Sequence, residues 1–360
     1  MPDSAFFRFE FIKRTLQFRF DARTSRGVLR GKDVFWVKTF RIDSPEICGW
    51  GEAAPLVKLS PDDRPDFEDI LVKVLKQMET ISWNLEENFI LEKLKEVIPF
   101  NLPSIRFALE TAILDLKNGG KKKILENPFY DRNDPIPING LIWMGDREFM
   151  LNQINQKLEE GYHCIKMKIG AIDFEQELEL IRYIRNRVSS EQIILRVDAN
   201  EAFPKEEALG KLSRLAELGI HSIEQPIPAG NMEAMRTLCK ATPLPIALDE
   251  ELIGVKSKAE FLDQILPQYI ILKPTLVGGI LETREWIRLA EERGIGWWMT
   301  SALESNIGLN AIAQLTSTYN PTIPQGLGTG KLYHNNLESP LEIKSGLIRY
   351  SAGKSWKEPF

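Results

Sequence analysis

Residues 193–200 read Ile193-Ile194-Leu195-Arg196-Val197-Asp198-Ala199-Asn200. Apolar residues, interrupted by Arg196 alone, run into an acid, and a helix-like segment follows. A buried strand does not hold a carboxylate in its interior without cost, so Asp198 is expected at the strand's C-terminal end. In parallel α/β proteins that end is where ligands bind. Working outward, the pattern recurs. Tyr162–Ile169 carries Lys166-Met167-Lys168 and precedes a helix predicted over 173–188; Ile193–Val197 precedes one over 205–218. Ile220–Ile223 ends at Glu224, Leu244–Leu248 at Asp249-Glu250, Tyr269–Leu272 at Lys273-Pro274 and Ile295–Met299 at Thr300-Ser301. Lys168, Asp198, Glu224, Asp249 and Lys273 stand 30, 26, 25 and 24 residues apart, the length of one βα unit. A strand over Ile136–Trp143 opens the series and a weaker one near Ile323 closes it. The alternation predicts a (β/α) barrel, which converges polar strand ends on one face.

The first 130 residues read differently, as an α+β unit. Residues 6–20 and 34–42 carry strand signals, and the Arg-, Ser- and Gly-rich DARTSRGVLRGKD between them reads as a mobile loop. It is either a solvated hairpin connection or a lid whose Val28 and Leu29 cover a ligand. Amphipathic helices follow over 66–97, with Phe67, Ile70, Leu71, Val74, Leu75 and Met78 at helical spacing. Another helix opens at Pro103-Ser104 and stops at Gly119-Gly120. Leu341–Tyr350 is strand-like and is expected to return to the N-terminal unit. The expected domains are therefore 1–130, joined by 335–360, and a barrel over 131–334.

Composition limits the function. The chain has 360 residues, 43% hydrophobic, with 46 basic and 51 acidic residues and a net charge of −5. That balance points to no nucleic-acid partner and no anionic membrane partner. Three separated cysteines read as reduced thiols, and neither a signal-peptide pattern nor a membrane-length apolar run is present, so a cytoplasmic protein is expected. Oligomeric state is left open. With three histidines, none spaced as a metal pair, and no G-x-S-x-G, Walker or strand-anchored GxGxxG motif, histidine-based hydrolysis and nucleotide chemistry are disfavoured.

Three carboxylates, Asp198, Glu224 and Asp249, converging on one barrel mouth would repel each other. They could instead pair with barrel lysines or cap helices. A hard divalent cation resolves the conflict for all three at once, and oxygen-only ligands favour Mg²⁺, with Mn²⁺ as substitute. Asn200 could support the metal or a substrate. Lys166 and Lys168 face the same way on one strand, with Lys273 across from them. Ammonium groups beside one another and near a divalent cation lose protons more readily, which suits a lysine base. Metal plus lysine base suits removal of a proton α to a carboxylate, with the metal stabilising the enediolate.

Lys166-Met167-Lys168, Asp198-Ala199-Asn200, Ile223-Glu224-Gln225-Pro226, Leu248-Asp249-Glu250 and Leu272-Lys273-Pro274 together resemble the muconate-lactonizing branch of the enolase superfamily. The resemblance implies an α/β fold: a modified (β/α)7β TIM-like barrel with an α+β capping domain built from the N-terminus and the C-terminal tail. It also implies Asp198, Glu224 and Asp249 as Mg²⁺ ligands, Lys168 and Lys273 as catalytic lysines across the substrate, and Lys166 as a group tuning Lys168. Within the branch, Thr300–Gly308, Gln325–Gly330 and the segment Ala22–Leu29 look like the o-succinylbenzoate synthase family. That likeness implies a Mg²⁺-dependent syn dehydration of a small succinyl-carboxylate substrate. No acid falls at Gly326–Gly330, where dipeptide epimerases carry Asp-x-Asp. Racemisation of N-succinylamino acids or epimerisation of dipeptides on the same scaffold is the alternative. Asn200, Ser301, Ser305, Gly326 and Arg26 are the expected substrate contacts, by position. The glycine run would present bare N–H groups to an anion, or form a tight barrel-closing turn.

Overall fold

A computed structural model describes residues 5–24 and 27–359. Two long strands, β1 (Phe7–Thr24) and β2 (Gly27–Arg41), form an antiparallel ribbon, and β3 (Ser44–Ala53) pairs with the second. Helices α1 (Phe67–Met78), α2 (Glu87–Val97), α3 (Pro103–Lys117) and α4 (Pro128–Asp131) follow. α3 lies directly on β3: a side-chain carbon at Gly49 would meet the Ala112 carbonyl oxygen at 2.0 Å, and one at Gly51 the Ala108 oxygen at 1.9 Å. Only glycine permits that approach.

β4 (Ile136–Pro137) and β5 (Gly140–Ile142) lead into the alternating region. There α5 (Arg147–Glu159), β6 (Cys164–Lys168), α6 (Phe174–Arg185), β7 (Ile194–Asp198), α7 (Lys205–Ala216) and β8 (Ser222–Glu224) follow in order. They continue as α8 (Met232–Ala241), β9 (Ile246–Leu248), α9 (Lys258–Ile265), β10 (Tyr269–Leu272), α10 (Pro274–Val277), α11 (Ile280–Glu291), β11 (Gly296–Met299) and α12 (Asn306–Ser317). The side chains of Asp146, Asp173 and Asn231 cap α5, α6 and α8. β5 to β11 make one seven-stranded sheet with neighbours in chain order, every pair parallel. Its edges are joined by parallel bridges from Gln325 to Ile138 and from Gly326 to Thr300. The molecule therefore has the expected class: seven βα units closed by an eighth extended segment. Strand interiors are buried on both sides, which explains their near-continuous apolar runs.

Four expectations change in detail. The strand expected over 136–143 is two pieces. β4 pairs with β13 (Leu347–Tyr350), itself the partner of β12 (Leu341–Lys344), and only β5 joins the barrel. Pro137, without an N–H, cannot carry a two-sided ladder through. The C-terminal strands thus pair with β4, while the tail packs on the N-terminal unit: Tyr350 lies against Phe129 and Tyr130, and the Pro359 carbonyl accepts from Arg14 at 3.4 Å. The closing segment near Ile323 is bridge-bonded rather than a ladder strand. Finally, within the expected loop over 21–33 the described residues 21–24 and 27–33 belong to the ribbon, paired through Ala22↔Leu29, Arg23↔Val28 and Thr24↔Gly27 after a register shift beyond Gln17. Its glycines and arginines mask a paired backbone.

Candidate active site

β6, β7 and β8 lie side by side with Lys168 opposite Asp198 and Asp198 opposite Glu224. Period-two alternation puts Lys166 on the same face as Lys168, and both point into the barrel. Lys166 Nζ donates to Asp198 Oδ2 at 3.1 Å and to Glu224 Oε2 at 2.7 Å. Lys168 Nζ donates to the same Asp198 oxygen at 3.0 Å and to Asn200 Oδ1, and lies 5.7 Å from the centre of the Trp143 ring. Asn200 in turn donates to Glu250 Oε1 at 3.2 Å. Lys273 Nζ, at the end of β10, donates to Asp249. All these lysines and acids are buried. The turns beyond the strand ends are strained: Asn200, Gln225 and Leu303 adopt positive φ of 42°, 36° and 67°.

The charges support one another. Burial alone would raise the Asp198 carboxyl, but Lys166, Lys168 and Lys273 outweigh it and hold it well below the usual carboxylate range. Burial alone would lower Lys166, but Asp198 and Glu224 hold it above the ordinary lysine range, and Asp249, Glu224 and Glu250 do the same for Lys273.

The three acids are thus engaged by lysines. Among the described residues no three His, Cys, Asp or Glu side chains are gathered closely enough to hold a metal as they stand. The donor set nevertheless fits a hard cation. Asp198, Glu224, Asp249 and Glu250 bring four carboxyl groups to three ammonium groups (Lys166, Lys168, Lys273), and burial, with Glu250 and Glu224 adding to it, pushes the Asp249 carboxyl well above the usual carboxylate range, a conflict that a bound cation would relieve. Glu224 Oε1 is buried with no hydrogen-bond partner among the described residues. Every available ligand is an oxygen, the set that suits Mg²⁺ or Mn²⁺.

These groups open into a cavity of about 1080 Å³. Lys166, Lys168, Asp198, Asn200, Glu224 and Lys273 form part of its lining; Asn139, Leu141 and Trp143 line the β5 side, and Phe149 and Gln153 of α5 lie beyond. The ribbon covers it with Arg19, Phe20, Val28 and Leu29, and the loop after β3 adds Leu56–Lys58. Thr300, Ser301, Gly326, Gly328 and Thr329 line the remaining side.

The expected substrate contacts separate here. Asn200 and Ser301 reach the cavity, but the Ser301 hydroxyl is committed: it donates to Glu304 at 2.5 Å and accepts from Thr329 at 2.8 Å and the Leu303 N–H at 3.1 Å. Gly326 also lines the cavity, yet its N–H donates to the Met299 carbonyl at 2.7 Å, so it is a closing residue and offers no free N–H to an anion. A side-chain carbon there would meet the Thr300 hydroxyl at 2.2 Å. Ser305 is fully buried outside the cavity lining: it caps α12 through the Ile307 N–H at 3.2 Å, donates to Glu52 and accepts from Trp36 at 3.0 Å. That corrects its assignment from a substrate contact to a helix cap. Arg26 lies outside the described residues. Sequence reasoning missed Trp143, Arg19 and Thr329. None stood apart in the sequence: Arg19 is one of five cations on β1, with Arg8, Lys13, Arg14 and Arg23.

The fold and site define an enolase-type barrel, and residues 150–354 match the family described as Enolase C-terminal domain-like. The chain belongs to the enolase superfamily, whose members generally depend on a divalent metal. It is 46% identical over 359 residues to an o-succinylbenzoate synthase of Desulfotalea psychrophila, covering 93% of this chain and 97% of that protein. The crystal structure of MenC from Desulfotalea psychrophila LSv54 superposes with a TM-score of 0.85 at 40% identity, covering 96% of this chain and 100% of that one. The L-Ala-D/L-Glu epimerase of Bacillus subtilis shares the fold, with a TM-score of 0.83 at 23% identity over 96% of each chain. Among the described residues no helix is long and apolar enough to cross a membrane.

Proposed function

We infer that the chain is an o-succinylbenzoate synthase, a carbon–oxygen lyase. It removes water from 2-succinyl-6-hydroxy-2,4-cyclohexadiene-1-carboxylate to give 2-succinylbenzoate, in menaquinone or phylloquinone synthesis, and works in the cytoplasm. The observation that carries this is the near-full-length identity to a relative of that name, on a site whose groups suit the reaction. Residues 1–130 with 335–360 act as the capping unit and 131–334 as the catalytic barrel.

Lys168 Nζ, shared between Asp198 and Asn200, takes the proton α to the ring carboxylate. The same nitrogen then returns a proton to the departing hydroxyl, so elimination is syn and one group serves as base and acid. Lys273 remains an ammonium on the other side of the ring and stabilises developing negative charge. Lys166, bridging Asp198 and Glu224, holds the acids in place and tunes Lys168. Asp198, Glu224 and Asp249 would hold Mg²⁺, or Mn²⁺ in its place, which when bound supplies positive charge beside the substrate carboxylate. Asn200 and the Ser301 wall contact the substrate, under the ribbon. Gain of aromaticity in the product drives the step.

The test is direct. Conversion of the cyclohexadiene to the aromatic product is followed by absorbance, with and without EDTA. Turnover that stops on chelation and returns with Mg²⁺ is the expected result. Absence of turnover on this substrate overturns the lyase reading, and turnover indifferent to EDTA overturns the metal assignment.

A further inference from the structure

Glu304 has no exposed surface, and the reaction as described does not use it. It ends the segment that follows β11. One carboxylate oxygen accepts from the Thr275 hydroxyl and the other from the Ser301 hydroxyl, the latter at 2.5 Å. Thr275 stands two residues beyond Lys273, in the turn that opens α10. Ser301 lines the cavity and takes the Thr329 hydroxyl at 2.8 Å. One buried carboxylate therefore fastens together the end of β10, the end of β11 and the barrel-closing segment.

A second charge reaches the same place from the capping ribbon. Lys32 of β2 is buried and donates to the carbonyl of Ala302. Burial lowers its pKa, and Glu304 and Glu52 act against that, so the lysine lies in their field. A buried cation and buried anions at such a seam are costly unless they serve each other. Removing either leaves the other uncompensated.

We propose that Glu304 is a positioning residue that sets the Lys273 strand end and the Ser301 wall as one unit, and that Lys32 makes this unit depend on a seated capping ribbon. For its kinetic assay the proposal rests on the lyase reading above. Misplacing a reacting group by a fraction of an ångström lowers the chemical step while leaving the fold intact.

The full chain and its variants Thr275→Val, Thr275→Ser, Glu304→Gln and Lys32→Met are compared by steady-state kinetics, thermal unfolding and hydrogen–deuterium exchange over residues 273–279 and 300–305. Thr275→Val is expected to lower kcat about tenfold with KM changed by less than about twofold, and Thr275→Ser to restore it. Glu304→Gln is expected to lower kcat further and to lose protection in both segments. Lys32→Met is expected to raise KM about tenfold and loosen 300–305. The proposal is overturned if Thr275→Val keeps the wild-type kcat, or if Glu304→Gln loses activity only in proportion to unfolded protein with exchange unchanged. If the wild-type chain does not turn over the substrate, the lyase reading fails by itself. The exchange data then decide: lost protection over 273–279 in Glu304→Gln supports the positioning role, and unchanged protection overturns it.

Discussion

Two layers of the barrel interior hold buried cations, and they hold them differently. At the mouth, Lys166, Lys168 and Lys273 each donate to a carboxylate. One layer below Asp198 on the same face of β7, Arg196 donates to the Pro324 carbonyl at 2.8 Å, and its Nε and Nη2 have no hydrogen-bond partner among the described residues. Its guanidinium lies 3.9 Å from the centre of the Trp298 ring instead. The Tyr269 ring packs against Trp298, and His221 against Tyr269. The groups that touch Arg196, a carbonyl and an aromatic ring, carry no charge to trade with it, and Glu224 acts on it only through its field. At the mouth, every ammonium has an acid that a substrate or cation can re-partner. Burial of charge alone is thus no mark of catalysis; what counts is whether the partners can change.

The largest effect that would break this contrast is at Lys168. Lys168→Ala is expected to lower kcat by about 10²- to 10⁴-fold, the usual worth of a general acid–base group. Lys166 still faces Asp198 in the variant, so circular dichroism and the cooperative unfolding transition should stay close to wild type. A variant that kept dehydration would remove the base assignment.

The lower layer should answer in the opposite way. Trp298→Ala opens a cavity and takes the ring from under Arg196, at an expected cost of about 3–5 kcal/mol in denaturant unfolding. Activity per folded molecule should stay within about threefold of wild type. Activity lost with stability intact would place the lower layer in the catalytic machinery.

The pH dependence sharpens the same division. Burial lowers the His221 pKa to about 4, and the Arg196 charge adds to this. In the unfolded chain histidine titrates near 6.5, so the group binds protons more readily unfolded than folded. Its contribution to stability is present above about pH 6.5 and is lost as pH falls toward about 4. His221→Gln should flatten that limb of the curve in urea unfolding between those values. A wild-type slope in the variant would assign the acid sensitivity to other groups.

Much of this was legible in the sequence because strand-end chemistry leaves a period. Lys168, Asp198, Glu224, Asp249 and Lys273 recur at βα spacing, and apolar runs bracket each. What escaped depends on contacts made far along the chain. The segment 21–33 reads as loop because arginine, serine and glycine are poor strand formers, yet residues 22–24 and 27–29 pair with each other across the ribbon. For the acids, the sequence offers both a shared cation and pairing with barrel lysines, and only the folded chain shows which lysine reaches which acid: Lys166 to Asp198 and Glu224, Lys273 to Asp249. Gly326 reads either as a donor of bare N–H or as part of a barrel-closing turn, and the bond to Met299, made only once the barrel closes, selects the turn.

The two serines of 301–305 make the smallest and sharpest test. They are four residues apart, and sequence position alone assigned both to the substrate. Ser301 is on the cavity wall; Ser305 caps α12 and serves Glu52 and Trp36. Ser305→Ala is expected to cost about 1–2 kcal/mol with kcat/KM within about twofold of wild type, whereas Ser301→Ala should lower kcat/KM about tenfold. The cost at Ser305 should also depend on pH. Burial raises the Glu52 carboxyl to about 7, and the bonds from Ser305 oppose that rise. A raised carboxyl pKa gives stability that is present at low pH and lost as pH climbs from the unfolded value through the folded one. Removing the serine hydroxyl lifts the folded value further, so the variant's deficit in urea unfolding should be larger at pH 8 than at pH 5. A deficit independent of pH would mean that Ser305 acts through the helix cap alone. An equal loss of kcat/KM in both variants would return Ser305 to the substrate side of the wall.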